Sequence, residues 1–558
     1  MRKFSLTALA CAIATLVWAA DWASLGGNPQ RDGWAKAEKA FTRQNAKNIE
    51  LLYKYKADNQ ARGLDALTTP IVNGNLITYL GFKEMLVFAG SADNAYSVDA
   101  DLNRLIWKSH FDYKAGKPAA APTALCPGGL TAAMAMPGSS TAAGRGFGPP
   151  PGRGRGSAPG GPIAPPAAAG RGPVAPPFPA PPTGRAALFA AGFGRSGVFL
   201  AISSDGNLHP LNTSTGEDKV PAIPFLPPNA KVSALNLNDG VIYAATEDNC
   251  GGNPNKLYGI DLSSEETKNY SYESAGASFA GAGGTAIGAD GTVYVETLGN
   301  GSDQVTALSK SLEVKDSFSI PAPAGPSAAG IAVPSVTPVV FEWKDRDVVV
   351  AAGRDGRVYL LDSKAMKTPL AQTDPIASPD AKYAGNGFSG TFSSWEDEES
   401  KTRWIYASLW GPAHSSAKFG NTNGDAAHGS IVAFKLEERD GKPALTPAWT
   451  SRDIVSPGSV ATANGLVFAL STGESSREAK EDGKPYTLAE REKMATRAML
   501  YVLDGATGAE LYNSGNMAST FSHGSGLTVA NKRIYFATHD NVVYSLGFLD
   551  EQPQLTGK

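Results

Sequence analysis

The sequence predicts an all-β chain: an eight-bladed β-propeller of four-stranded antiparallel blades, closed by a strand from its own N-terminus. Three observations predict it. The stretch RIYFATHDNVVYSLGF (533–548), two apolar strands around a polar turn, recurs as MLVFAGSADNAYSVDA (85–100), GVFLAISSDGNLHPLN (197–212) and DVVVAAGRDGRVYLLD (347–362). Further strand-like runs flank these copies, which makes a four-stranded unit. The last copy lacks a fourth strand, whereas NIELLYKYKA (48–57) near the start is a strand without a unit.

At the N-terminus, Arg2 and Lys3 precede an apolar run from Leu6 to Val17. Val17-Trp18-Ala19 then places small residues at the two positions a signal peptidase reads, which predicts a signal peptide over 1–19. The run is too short to span a bilayer, and no later segment has transmembrane character. Residues 20–558 are therefore expected to be an exported propeller, periplasmic or secreted.

Within each copy, alternating or wholly apolar β-branched and aromatic residues make the strands. An Asp-Asn or Asp-Gly dipeptide supplies the positive φ of a tight turn. First strands come from TTPIVNGNLITYL (68–80), PSVTPVVFEW (334–343) and SPGSVATANGLVFAL (456–470). Fourth strands come from RLIWKSH (104–110), VPAIPF (220–225), NYSYES (269–274) and ELYNSG (510–515). Third strands are read at NAYSVDA, NLHPLN, LYGIDL, VTALS, VYLLD, IVAFKL, LYVLD and VVYSLGF, which sets the count at eight. One such unit cannot bury its faces and leaves two open edges; copies set around an axis cover them. The strand 48–57 is expected to complete the last blade and seal the ring.

Residues 117–187 break the rhythm. Gly, Pro and Ala dominate, Arg145, Arg153, Arg155, Arg171 and Arg185 make the stretch basic, and no periodic apolar face offsets the entropy of ordering it. A disordered insertion within the propeller is predicted there. The formal net charge of −3 gives no footprint for nucleic acid. Of three cysteines, Cys11 leaves with the signal peptide, so Cys126 and Cys250 are the disulfide candidates, and the sequence leaves open whether they meet. No CxxCH occurs, so no attached c-type haem is expected.

Chain direction reverses at every turn of an antiparallel blade. Second-to-third turns and blade-to-blade links therefore share one face. The insertion is a link, and the excursions 247–256, 410–429 and 471–497 follow second strands, so all four are expected on that face, where elaborated loops usually carry binding. TLAEREKMATR (487–497) predicts a short Thr-capped helix at the channel mouth.

LYVLDGATGAELYNSG (500–515) resembles the repeat of pyrroloquinoline quinone (PQQ) enzymes: an apolar strand, Asp, a Thr-Gly turn, then a strand ending in a docking Trp. VYLLDSKAM and AYSVDADLNRLIW are partial copies, and DWASLGGNPQRDGWAKAEKAFTRQNAKNIELLYKYKA (21–57) resembles the start of such proteins. Docking tryptophans are expected at Trp107 and Trp449. The resemblance implies a channel in which Glu and Asn hold calcium, an Asp acts as base, an Arg contacts the quinone, and a Trp and adjacent cysteines sandwich its ring. Adjacent cysteines are absent here. The candidate calcium ligands are Glu247 and Asn253, and the candidate PQQ contacts are these two with Arg354, Asp355, Trp410 and His414; His428, His523 and His539 are further candidates for the mouth. No catalytic residue is assigned. Two functions follow. One is a binding or scaffold module that takes a protein, peptide or envelope component on its loop face. The alternative is a PQQ- and calcium-dependent dehydrogenase of alcohols or sugars.

Overall fold

The computed structural model describes residues 20–78, 81–114, 121–137, 197–263, 266–321, 335–378 and 385–549. The predicted signal peptide (1–19) and most of the predicted insertion lie outside them. Residues 121–137, which the insertion reading included, are packed against the propeller: Leu130, Ala132, Met134 and Ala135 are buried.

The chain forms mainly antiparallel sheets that pack on one another in succession around a ring, and the last sheet touches the first. Seven sheets have four or more strands, and this corrects the expectation of eight four-stranded blades to seven. At the second expected unit only three strands assemble, Val198–Ile202, Asn207–Asn212 and Ile223–Pro224. Among the described residues no first strand pairs there; Ala135, in the preceding TAAMAM, makes a single bridge to Leu200. The six-stranded sheet gains its outermost strand by folding its excursion back: Asn421–Thr422 pairs in parallel with Trp449 and Thr450 at the outer edge. The excursion 410–429 thus runs outward instead of standing on the channel face.

All eight runs read from the sequence as third strands are strands in the structure, seven of them in third place and NLHPLN as the middle strand of the three-stranded sheet, and each recurring turn has one positive φ, at Asp93, Gly206, Gly356 and Asn541. Second and third strands are buried along their length, as in Leu466–Ser471 and Asn94–Asp99. Each fully buried Val, Leu, Ile or Phe contributes about 1.5–3 kcal/mol. The strand Glu50–Lys56 pairs antiparallel with Val542–Gly547, in the register Glu50 with Gly547 and Lys56 with Val542, so the N-terminus supplies the missing outer strand of the last blade.

Two tryptophans dock blades onto neighbours. Trp107 Nε1 donates to Thr213 O at 2.9 Å, and Trp449 Nε1 donates to Gly505 O at 2.9 Å. Each ring lies on a turn glycine, Gly216 or Gly508, in left-handed backbone, and a Cβ on either would overlap the indole. This is the physical content of the Thr-Gly and Trp positions of the repeat.

Ahead of the closing strand, residues 22–34 plug the channel. Trp22 exchanges backbone hydrogen bonds with Val72. Ile287 donates to Pro29 O, Val340 to Gln30 O, Ser394 to Asp32 O and Thr462 to Gly33 O. The plug thereby addresses the inner strands of five sheets. Arg31, fully buried, spreads its guanidinium over the carbonyls of Leu25, Ala234, Leu235, Gly283 and Thr285. Burial pushes it down to about 9.

Candidate binding pocket in the channel

Above the plug, the channel opens into a cavity of about 430 Å³ on the loop-rich face. Leu25 of the plug, Ala133 and Ala234 form its apolar floor. Small residues of the links, among them Ser233, Ala282, Gly390, Ser459 and Ser525, line the throat, because eight link segments converge there. Larger side chains come from the ends of second strands: Glu247, Arg354, Trp410 and Glu474. The antiparallel topology thus brings the predicted repeat positions to one blind pocket.

Its charges fall into three groups. In the first, Lys231 Nζ is 2.8 Å from Asp248 Oδ2 and 3.9 Å from Glu247 Oε2. Burial pushes the lysine down, but Asp248 and Glu247 more than offset this and hold it above its ordinary value. Glu247 Oε1 is buried without a hydrogen-bond partner, and burial, opposed by Lys231 and reinforced by Asp248 and Asp65, pushes the carboxyl up to about 7. In the second, Arg354 Nε and Nη2 lie 2.8 and 2.6 Å from Asp303 Oδ1. Behind them Glu296 is wholly buried with both carboxyl oxygens unpartnered, and burial, with Asp303 and Asp355, raises it well above the carboxylate range.

The third group sits under the excursion 471–497. Thr487 caps the helix Leu488–Met494, as its sequence predicted, and Glu490 completes a capping box. From this helix Arg491 reaches down to Glu478 at 3.2 Å and Glu474 at 3.6 Å. His523 Nδ1 meets Glu474 Oε1 at 2.8 Å, with Asp65 Oδ2 4.0 Å from its Nε2. Burial disfavours the charge on both partners, but their pairing more than offsets it, so His523 is raised and Glu474 lowered.

Of the sequence candidates, Glu247, Arg354, Trp410 and His523 line this pocket. Asn253 does not: its Nδ2 donates to Pro228 O at 3.0 Å and Cys250 O at 3.2 Å and closes its own turn. Asp355 is also spent locally, on Arg357 N and Tyr359 Oη. His414 caps Ser416 in the outward excursion, and His428 pairs with Asp453. His539 bonds Gly63 O and stacks on Phe521. Cys126 and Cys250 are joined in a disulfide with Cα atoms 5.4 Å apart, which ties residues 121–137, and with them Thr131 and Ala133 of the pocket wall, to the turn after Glu247. The sequence reading missed Asp65, Lys231, Asp248, Glu474, Glu478 and Arg491. Glu474 follows a second strand as Glu247 does, and that repeat position was the available signal.

The pocket's donors fit a calcium-bound quinone poorly. Calcium asks for six to eight hard oxygens; here Glu247 faces a lysine, and Asn253 points elsewhere. Among the described residues no group of three or more His, Cys, Asp or Glu side chains is placed to hold a metal ion. The cations that would take quinone carboxylates, Lys231, Arg354 and Arg491, are each already matched to carboxylates.

No protein-family model matches the chain, and no curated protein matches its sequence. Solved structures do share its fold. Quinohemoprotein alcohol dehydrogenase from Comamonas testosteroni superimposes with a TM-score of 0.53 at 11% identity, over 96% of this chain and 82% of that one. A quinohemoprotein alcohol dehydrogenase from Pseudomonas putida HK5 gives 0.51 at 11%, over 96% and 82%. A europium-containing methanol dehydrogenase gives 0.51 at 9%, over 95% and 98%. No helix among the described residues is long and apolar enough to cross a membrane. The chain therefore has the β-propeller fold that these quinohemoprotein and methanol dehydrogenase structures share.

Proposed function

We propose that the protein is an exported, periplasmic or secreted propeller that works as a binding module, taking its ligand or partner group into the blind pocket on its loop-rich face. The observation that carries this reading is the charge pairing inside the pocket. Its cations are already matched to carboxylates of its own walls, whereas a concave, half-apolar chamber stays open beside them, as in ligand-binding sites generally. A floor of backbone and small residues locked by Arg31 makes the chamber pre-formed, so little ordering entropy opposes binding.

The dehydrogenase alternative has one observation in its favour: Glu247, Arg354 and Trp410 share the pocket. The test is titration of the purified mature protein with PQQ and calcium, followed by absorbance and by alcohol- or sugar-dependent dye reduction. We expect no stoichiometric quinone at micromolar concentration. Stoichiometric binding with turnover that disappears in Glu247→Ala would establish the dehydrogenase instead.

A further inference from the structure

We propose that the pocket selects a small organic cation, an ammonium group on an apolar body, with Glu247 and Asp65 as its counter-ions. The inference deepens the binding reading above and rests on it.

Charge balance is the first support. The carboxylates in the lining or paired with its cations are Asp65, Glu247, Asp248, Asp303, Glu474 and Glu478. Against them stand Lys231, Arg354, Arg491 and His523. Assigning each cation its nearest carboxylate uses Asp248, Asp303, Glu478 and Glu474, at 2.8, 2.6, 3.2 and 2.8 Å. Glu247 and Asp65 remain, each 3.9–4.0 Å from a cation that is already committed to a closer partner. Even with His523 protonated, the chamber is short of positive charge.

The second support is independent of that count. Glu247 lines the pocket and its Oε1 is buried with no donor, and leaving such an atom unsatisfied costs about 1–3 kcal/mol unless something supplies a hydrogen. An N–H donor fills the vacancy, and a positively charged one also offsets the surplus of carboxylates. The walls suit the remainder of such a ligand. Phe279 and Trp410 line the cavity, the indole being fixed by its Nε1 bond to Pro457 O at 2.9 Å, and aromatic faces attract cations. Leu25, Ala133 and Ala234 below give an apolar body a place to rest. An anion finds the reverse, since each cation would first have to leave its own carboxylate.

Three probes with one ring and different heads test this: benzylammonium, benzyl alcohol and benzoate, titrated calorimetrically into the mature protein at low salt and slightly alkaline pH. We expect benzylammonium to bind about tenfold or more tighter than benzyl alcohol, as a charged hydrogen bond implies, and benzoate not to bind. Glu247→Gln, which keeps the shape, should erase the preference for the ammonium; Asp65→Asn should weaken it and serves if the first variant fails to fold. Benzoate or benzyl alcohol binding as well as the ammonium, or a preference unchanged in both variants, overturns the cation proposal and leaves the binding module standing. Failure of all three probes to bind overturns both.

Discussion

Glu247 gives the pocket a pH signature that belongs to a single residue. Its carboxyl, raised to about 7 chiefly by burial, holds a proton in the folded chain over a range where the unfolded chain has already lost it. The native state then binds more protons than the unfolded one between the ordinary glutamate value and about 7, so stability falls as pH rises through that window and levels off above it. Glu84, also pushed up to about 7 by burial, adds a second contribution of the same sign. The Glu474–His523 pair titrates differently, so the clean quantity is the difference between wild type and Glu247→Gln. Moving from pH 5 to pH 8, that difference should shift by about 1–3 kcal/mol in favour of the variant. Denaturant melts at the two pH values measure it, and a difference independent of pH would show that the carboxyl is not held protonated.

At the scale of the element, strands and turns were legible because their signals are local. Alternation and β-branching mark a strand wherever it lies, and the Asp-Gly or Asp-Asn pair marks its turn. The blade count failed where the signal is a partnership: NLHPLN reads as a good third strand whether or not a first strand exists two places away. The same distinction runs through the site. Glu247, Arg354 and Trp410 were found because they follow recognisable second strands, whereas Lys231 and Asp65 sit in links without periodicity. Asn253 and Asp355 misled because the side chains that bind ligands are also the ones that close turns. Residues 121–137 look like linker by composition, yet the disulfide to Cys250 and buried Met134 make them wall. Cys126→Ser with Cys250→Ser should therefore cost about 2–4 kcal/mol, close to the usual worth of a bond closing so long a loop. It should also open 121–137 to limited proteolysis. A reductant should reproduce both effects in the wild type and change nothing in the double variant.

For the whole molecule, the N-terminal segment seals the ring twice, by two different means, and the two can be separated. Residues 50–56 cover the outer edge of the last blade, leaving no unpaired strand there. Residues 22–34 close the channel from inside, and Arg31 is their fastening: a cation without a carboxylate, stable in the interior because five carbonyls share it. Those carbonyls belong to the plug itself (Leu25) and to the segments leading into two neighbouring sheets (Ala234 and Leu235, Gly283 and Thr285), so the guanidinium ties the plug to that pair of sheets and fixes the floor of the pocket above. Arg31→Met keeps the stem but strands the carbonyls. We expect it to cost about 2–5 kcal/mol, as loss of a buried hydrogen-bonded charge usually does, with the state of association unchanged. Starting the chain after Lys56 removes both seals and exposes Val542–Gly547 as an apolar edge, which invites pairing between copies. That chain should associate, while Arg31→Met should melt early with association unchanged. Light scattering beside a denaturant melt distinguishes the two, and a normally stable truncation with association unchanged would show that neither seal holds the ring.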